Sequence, residues 1–227
     1  MRAGIWLAVL AVVIGFSLTG AQAATSVLTY TGEVGPAVTG ADGTFASVVI
    51  PRFDTSLGQL TGVSIAVSAD LDPVVSFTNN APGNEPFTWD WFHGELTVSA
   101  PTGSVLLDFL KEAGTENGRP YIASTTLGHS GSVTWTETYT DTTTAALTSD
   151  LGAFMGAGDV SFPVWAETSN EVSYGGGNAT TNVYTNAHVS ITVSYDYMPT
   201  PELGSFALMG LSMLPIAGAV VRRRRKR

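Results

Sequence analysis

Three histidines, His93, His129 and His188, are the natural starting point for chemistry in this 227-residue chain. His93 lies in "WDWFHGE", beside Asp90 and Glu95. An imidazole flanked by carboxylates is a donor set that metals use. The spacing matches no zinc pattern, however, and nothing local brings in the other two histidines. His93 therefore reads as a polar residue at a strand end, next to aromatics. Asp70 and Asp72 in "ADLDP", with Asp90, offer the hard oxygen donors that calcium prefers. The spaced D-x-D-x-D-G loop is absent, so these acids read as solvated turn residues and no metal site is expected. "GHSGS" around Ser130 resembles a nucleophile turn only in composition, since G-x-S-x-G is missing. A Ser-His-Asp triad stays open because its geometry is non-local. A glycosidase carboxylate pair stays open too, although no pair stands out. "PFTWDWF" is the densest aromatic stretch. Trp89 and Trp91 are two apart, which on a strand puts them on one face. Exposed, they would stack on sugar rings; turned inward, they would be core, the better reading because aromatics supply much of a sandwich's buried area. "NAT" at Asn178 fits a glycosylation sequon. Cysteine is absent, which removes thiol catalysis, Cys-based zinc and disulfides. The expectation is a non-enzymatic protein without a cofactor.

The elements that would position these residues read as strands. In "TGVSIAVSA", Val63, Ile65 and Val67 alternate with small residues, and "HVSITVSYDY" repeats the pattern with Val189, Ile191, Val193, Tyr195 and Tyr197. "GSVTWTETYT", "TSVLTYTG", "FASVVI", "PVVSFTN", "GELTVSA", "SVLLDFL" and "VSFPVWAE" are further candidates. Period-two patterning rich in β-branched and aromatic residues is the strand signature. Turn signals such as "NNAPGNEP", "TENGRP" and "SYGGGN" separate the runs. The pattern predicts an all-β fold, an antiparallel β-sandwich of jelly-roll-like form. "TTTAALTSDLGAFMGAGD" is less regular and reads as a short helix or a long connection.

Both ends read as addresses. Residues 1–23 combine Arg2, an apolar run and Ala21-Gln22-Ala23, the form of a secretory signal peptide cleaved after Ala23. An uncleaved N-terminal anchor is the alternative. Residues 203–221 carry no charge. As a helix they would be about 28 Å long, close to the roughly 30 Å hydrocarbon core of a bilayer. Arg222, Arg223, Arg224, Arg225, Lys226 and Arg227 follow, and charges this costly to translocate keep a tail cytoplasmic. The remaining span, 24–200, holds three bases (Arg52, Lys111 and Arg119) against eighteen acids, near −15. Such a surface disfavours nucleic acid, which needs a basic footprint.

The end of the chain resembles the PEP-CTERM sorting signal: Pro201-Glu202, then the apolar 203–221, then the basic 222–227, with Leu203 where the second proline is usual. The resemblance implies an exported protein of a Gram-negative bacterium that makes extracellular polysaccharide. It also implies processing near Pro201-Glu202 by an exosortase-type membrane enzyme. "VVIPRFDTSLGQLTGVSIAV" is similar to the opening of the choice-of-anchor E domain, through Phe53, Asp54, Leu57, Gly58, Leu60 and Val63. That resemblance places the ectodomain at 24–198 and the sorting segment at 199–227, and supplies no catalytic residues.

The expected function is that of a cell-surface or extracellular-matrix protein. It would be held transiently in the inner membrane and then placed in the envelope or released, with extracellular polysaccharide as a partner. The alternatives are a carbohydrate-binding module using Trp89, Trp91, Trp135 or Trp165, a β-sandwich hydrolase, and a permanent single-pass membrane protein.

Overall fold

The computed structural model describes residues 25–39, 43–114 and 121–200. Ala23, Pro201, Glu202 and Arg222 to Arg227, and with them the expected signal peptide and membrane helix, lie outside the described residues. Within those described, no helix is long and apolar enough to cross a membrane.

The described residues form ten strands: β1 (Ser26–Val38), β2 (Thr44–Pro51), β3 (Gly58–Asn79), β4 (Glu85–Ser99), β5 (Val105–Gly114), β6 (Ala123–Leu127), β7 (Ser132–Thr136), β8 (Tyr139–Leu147), β9 (Asp159–Tyr174) and β10 (Ala179–Pro199). They make two antiparallel sheets packed as a sandwich. One has the order β1-β10-β3, with β7 and β8 sharing the far side of β3. The other has the order β2-β9-β4, with β5 and β6 sharing the far side of β4.

Alternation does what the period predicts. On β3, Val63, Ile65, Val67, Ala69, Leu71, Val75 and Phe77 are buried, and on β10 Ala187, Val189, Ile191, Val193 and Tyr195. They face Phe87, Trp89, Phe92, Leu96 and Val98 of β4 and Val160, Phe162, Val164 and Ala166 of β9. Two ring pairs bridge the sheets, Phe77–Phe87 at 5.1 Å and Phe92–Tyr139 at 5.3 Å. Gly94 occupies an inward position of β4, where an added Cβ would meet Leu71 Cδ1 at 2.7 Å. The missing side chain lets the opposite sheet approach there.

Asp70 and Asp72 lie within β3, and Asp90 and His93 within β4, not in turns or at a strand end, and three strand expectations also need correction. "TGVSIAVSA" and "PVVSFTN" belong to one 22-residue strand, β3, although Pro73 stands between them. Proline removes a ladder donor. Here it falls where β3 changes partner: β8 pairs through Leu71↔Tyr139 and β7 begins at Val74↔Thr136. The Pro73 carbonyl still accepts from Glu137 N–H. "TTTAAL" belongs to β8, and only Leu151–Phe154 forms a short 3-10 turn. β6 has no counterpart among the strand candidates read from the sequence.

Candidate functional site

The aromatic stretch of β4 departs from simple alternation. Trp89 pairs with Val172 of β9 and Trp91 pairs with Glu171, so Asp90 is an extra residue. A bulge of this kind breaks the period and turns the following side chains over. Trp89 points inward and is 0% exposed, and its indole Nε1 has no hydrogen-bond partner among the described residues. Phe92 is the next inward residue. Trp91 lies on the outer face, stacked on His93 with centroids 5.7 Å apart and an interplanar angle of 22°. The two-residue spacing predicted a shared face; the bulge separates the rings, and no Trp89–Trp91 stacking platform forms. Trp135 sits edge-on to Phe77 at 5.5 Å. Trp165 covers Gly43, whose φ of +74° and contact with the indole both exclude a side chain.

Outward on the same sheet, His93 Nδ1 is 3.7 Å from Glu112. The register places Glu95 directly opposite Glu167 and Trp91 opposite Glu171, so this face is carboxylate-rich. Lys111 lies instead over the Tyr139 ring, 4.7 Å from its centroid. Burial, with a smaller contribution from Glu137, raises the Tyr139 pKa.

The outer face of the other sheet is a hydroxyl surface. Thr29–Ser194 and Thr31–Thr192 bond at 2.9 Å, and Ser76–Thr134 and Thr78–Ser132 at 3.0 Å. His188 interrupts it, with Nδ1 3.4 Å from Asp70 and Nε2 3.9 Å from Glu33. Asp70 also accepts from Thr140 Oγ1 at 2.6 Å. A hydrolytic triad needs a hydroxyl on the second imidazole nitrogen. Here that nitrogen faces a carboxylate, so this Asp-His-Glu row has no nucleophile to activate. Among the described residues, no group of three or more acidic or histidine side chains is arranged to hold a metal ion.

At one end of the sandwich, Asn79 is fully buried and ties three segments together. Its Nδ2 donates to Gly83 O and Leu127 O, both at 2.8 Å, and its Oδ1 accepts from Ala81 N–H at 2.9 Å. Ser130, at φ 61°, donates its backbone N–H to Asn79 O, and His129 Nδ1 contacts Ala81 O at 2.8 Å. "GHSGS" is thus a turn held by backbone bonds. Asn80 extends the network to the β9–β10 connection through Asn178 O and Thr180 Oγ1. Asn178 itself is exposed.

Beneath β2, Tyr195 donates its hydroxyl to Pro51 O at 2.8 Å and packs on Phe53 and Tyr30. Burial pushes its pKa up to about 12, with Tyr30 adding to the rise and Arg52 opposing it.

A feature with no sequence signal lies between β9 and β10. β2 pairs with β9 only as far as Thr44↔Trp165, while β9 runs on to Tyr174. Past that point an open cleft of about 250 Å³ lies between the two sheets. Thr39, Thr168, Asn170 and Thr185 form its polar part, and Val38, Val183 and Tyr184 flank it. Thr39 Oγ1 bonds Thr168 Oγ1 at 2.8 Å. Asn170 Nδ2 reaches Thr185 Oγ1 at 3.5 Å, whereas the buried Asn170 Oδ1 has no partner among the described residues.

No family model matches the chain. No curated protein matches it either. Among solved structures it is similar to dimeric latent PorU from Porphyromonas gingivalis (11% identity, TM-score 0.25, 79% of this chain and 14% of that one). It is similar also to Mud crab tombus-like virus (10%, TM-score 0.24, 84% of this chain and 100% of that one). A third is parasporin-2 of Bacillus thuringiensis (13%, TM-score 0.20, 77% and 68%). TM-scores this low fall short of a common fold. The chain spans about one seventh of the PorU chain.

Proposed function

We propose that this chain is an exported, non-enzymatic protein of the cell surface or extracellular matrix. Its jelly-roll ectodomain would be delivered through a C-terminal sorting segment, 199–227. The observation that carries the reading is the tripartite end: Pro201-Glu202, nineteen charge-free residues, then six consecutive bases in a chain with ten. The basic tail holds the C-terminus in the cytoplasm while an exosortase-type enzyme acts near Pro201-Glu202. β10 runs to Pro199, so the processing motif follows directly on the last strand. The jelly-roll assignment is supported by strand order. Successive strands β1 to β4 alternate between the sheets, and the β1-β10-β3 and β2-β9-β4 neighbours are those of two intertwined Greek keys. The strong negative charge of residues 24–200 suits a hydrated, polyanion-repelling exterior.

The test is the intact mass of the mature protein from its native host, together with its fractionation. The expected mass ends near Pro201, in envelope or medium, and Glu202→Ala abolishes the trimming. A mass retaining Arg222 to Arg227 in the inner membrane would make the segment a permanent anchor and overturn the sorting assignment.

A further inference from the structure

We infer that the cleft between β9 and β10 is a binding site for an uncharged saccharide, one sugar unit deep. β9 alternates inward through Val164, Ala166, Thr168 and Asn170, so the core-facing row changes from apolar to hydrogen-bonding where β2 stops. Opposite it, Thr185 of β10 is 2% exposed. Polar side chains at inward positions cost stability unless they are paired. Thr39 Oγ1 pairs with Thr168 Oγ1 and reaches the Thr185 carbonyl, and the Thr185 hydroxyl accepts from Asn170 Nδ2, but among the described residues the buried Asn170 Oδ1 has no partner. Asn170 lines the cleft, and this carbonyl lies just beneath its surface with its hydrogen-bonding capacity unused.

The chemistry of the occupant follows. Among the described residues no charged side chain lines the cleft, so they select neither an anion nor a cation. The chain's negative charge further disfavours acidic sugars. A hydroxyl both donates and accepts, so it satisfies Asn170 whichever way the amide is turned, and the Thr168 and Thr185 hydroxyls as well. Tyr184 and the exposed Val38 and Val183 give the flank an apolar body to cover a ring's C–H face. A volume of about 250 Å³ accommodates one pyranose ring and lies below the roughly 300 Å³ at which pockets for larger ligands begin. This site is separate from the tryptophans. It goes beyond the sorting assignment and does not depend on how the chain reaches the surface.

The experiment is calorimetric titration of the full-length chain with cellotetraose, laminaritetraose and N-acetylchitotetraose, with hydrogen exchange to locate the contact. The expected result is one-site binding by at least one of them, at about millimolar affinity or tighter. Protection should be confined to 166–172 and 183–187. Asn170→Leu and, on the flank, Tyr184→Ala each weaken binding at least tenfold, while Trp91→Ala leaves it unchanged. Two variants are needed because Asn170 also supports Thr185; neither may lower the parent's unfolding midpoint by more than about 0.5 M urea. No heat with any of the three sugars overturns the assignment. So does binding that is lost in Trp91→Ala and kept in Asn170→Leu, or protection elsewhere. Failure of the C-terminal trimming test leaves this result untouched, so the two assignments fall separately.

Discussion

Asn79→Ala is the sharpest probe of how the end of the sandwich is held. The side chain makes three hydrogen bonds, to Gly83 O, Leu127 O and Ala81 N–H, and is fully buried. Each such bond contributes about 1 kcal/mol net, and a buried partner left unpaired costs about 1–3 kcal/mol. Water entering the vacated space recovers part of this, so the expected loss is about 3–4 kcal/mol. That is a large share of the roughly 5–15 kcal/mol available to a domain. With an m-value of about 2 kcal/mol/M, the urea midpoint of the full-length chain falls by about 1.5–2 M. Asn79→Asp should be worse. It keeps the acceptor for Ala81 N–H but turns the donor into a carboxylate oxygen aimed at two carbonyls. Hydrogen exchange should quicken in 79–84 and 128–131 together, since both hang on this residue. A loss below about 1 kcal/mol for Asn79→Ala would refute the reasoning, as would a milder effect for Asn79→Asp than for Asn79→Ala.

The bulge at Asp90 makes two neighbouring tryptophans unequal. Trp89→Ala should cost about 3–5 kcal/mol by opening a core cavity, and Trp91→Ala within about 1 kcal/mol; equal losses in denaturant melts would place both rings on one face. Tyr195 predicts alkaline weakening. Its pKa is raised from 10.0 to about 12, so the folded state holds its proton more tightly than the unfolded chain. The stabilisation is complete below pH 10 and is lost as pH rises through 12. Discounted for solvent screening of the hydroxyl, about 1 kcal/mol is at stake. Stability measured against pH should fall less steeply over that window in Tyr195→Phe, after a fixed loss of about 1 kcal/mol for the bond to Pro51 O.

Strand type was legible because burial on one face leaves a period of two, as in β3 and β10. Pairing was not legible, since it joins residues far apart in sequence. Thr29 meets Ser194, and Thr31 meets Thr192, across a separation no local pattern encodes. For the same reason Pro73 looked like a strand end. Only the change of partner from β8 to β7 shows why a proline is tolerated within a strand. The bulge defeated the reading of Trp89 and Trp91, because an inserted residue leaves the composition of a strand untouched while inverting everything after it. A run of two apolar residues, Trp91-Phe92, was the one available sign, and in so aromatic a stretch it reads equally well as core.

The cleft was hidden by a different ambiguity. Period-two reading assigns polar residues to the solvent face, and Thr168, Asn170 and Thr185 are polar residues on inward positions. From sequence alone, "ETSNEVSY" is a nearly all-polar run with acids four apart, and the acids Glu167 and Glu171 do face outward. Thr168 and Asn170 between them must therefore face inward, which the local pattern states only once the register of β9 is known. A sandwich that buried valines at these positions would close more tightly, by about 1–2 kcal/mol per side chain on transfer alone. Replacing Asn170 and Thr168 together by Leu and Val should therefore raise the unfolding midpoint while abolishing saccharide binding. A double variant that gains no stability would mean the polar lining contributes to the fold and is not held there at the expense of it.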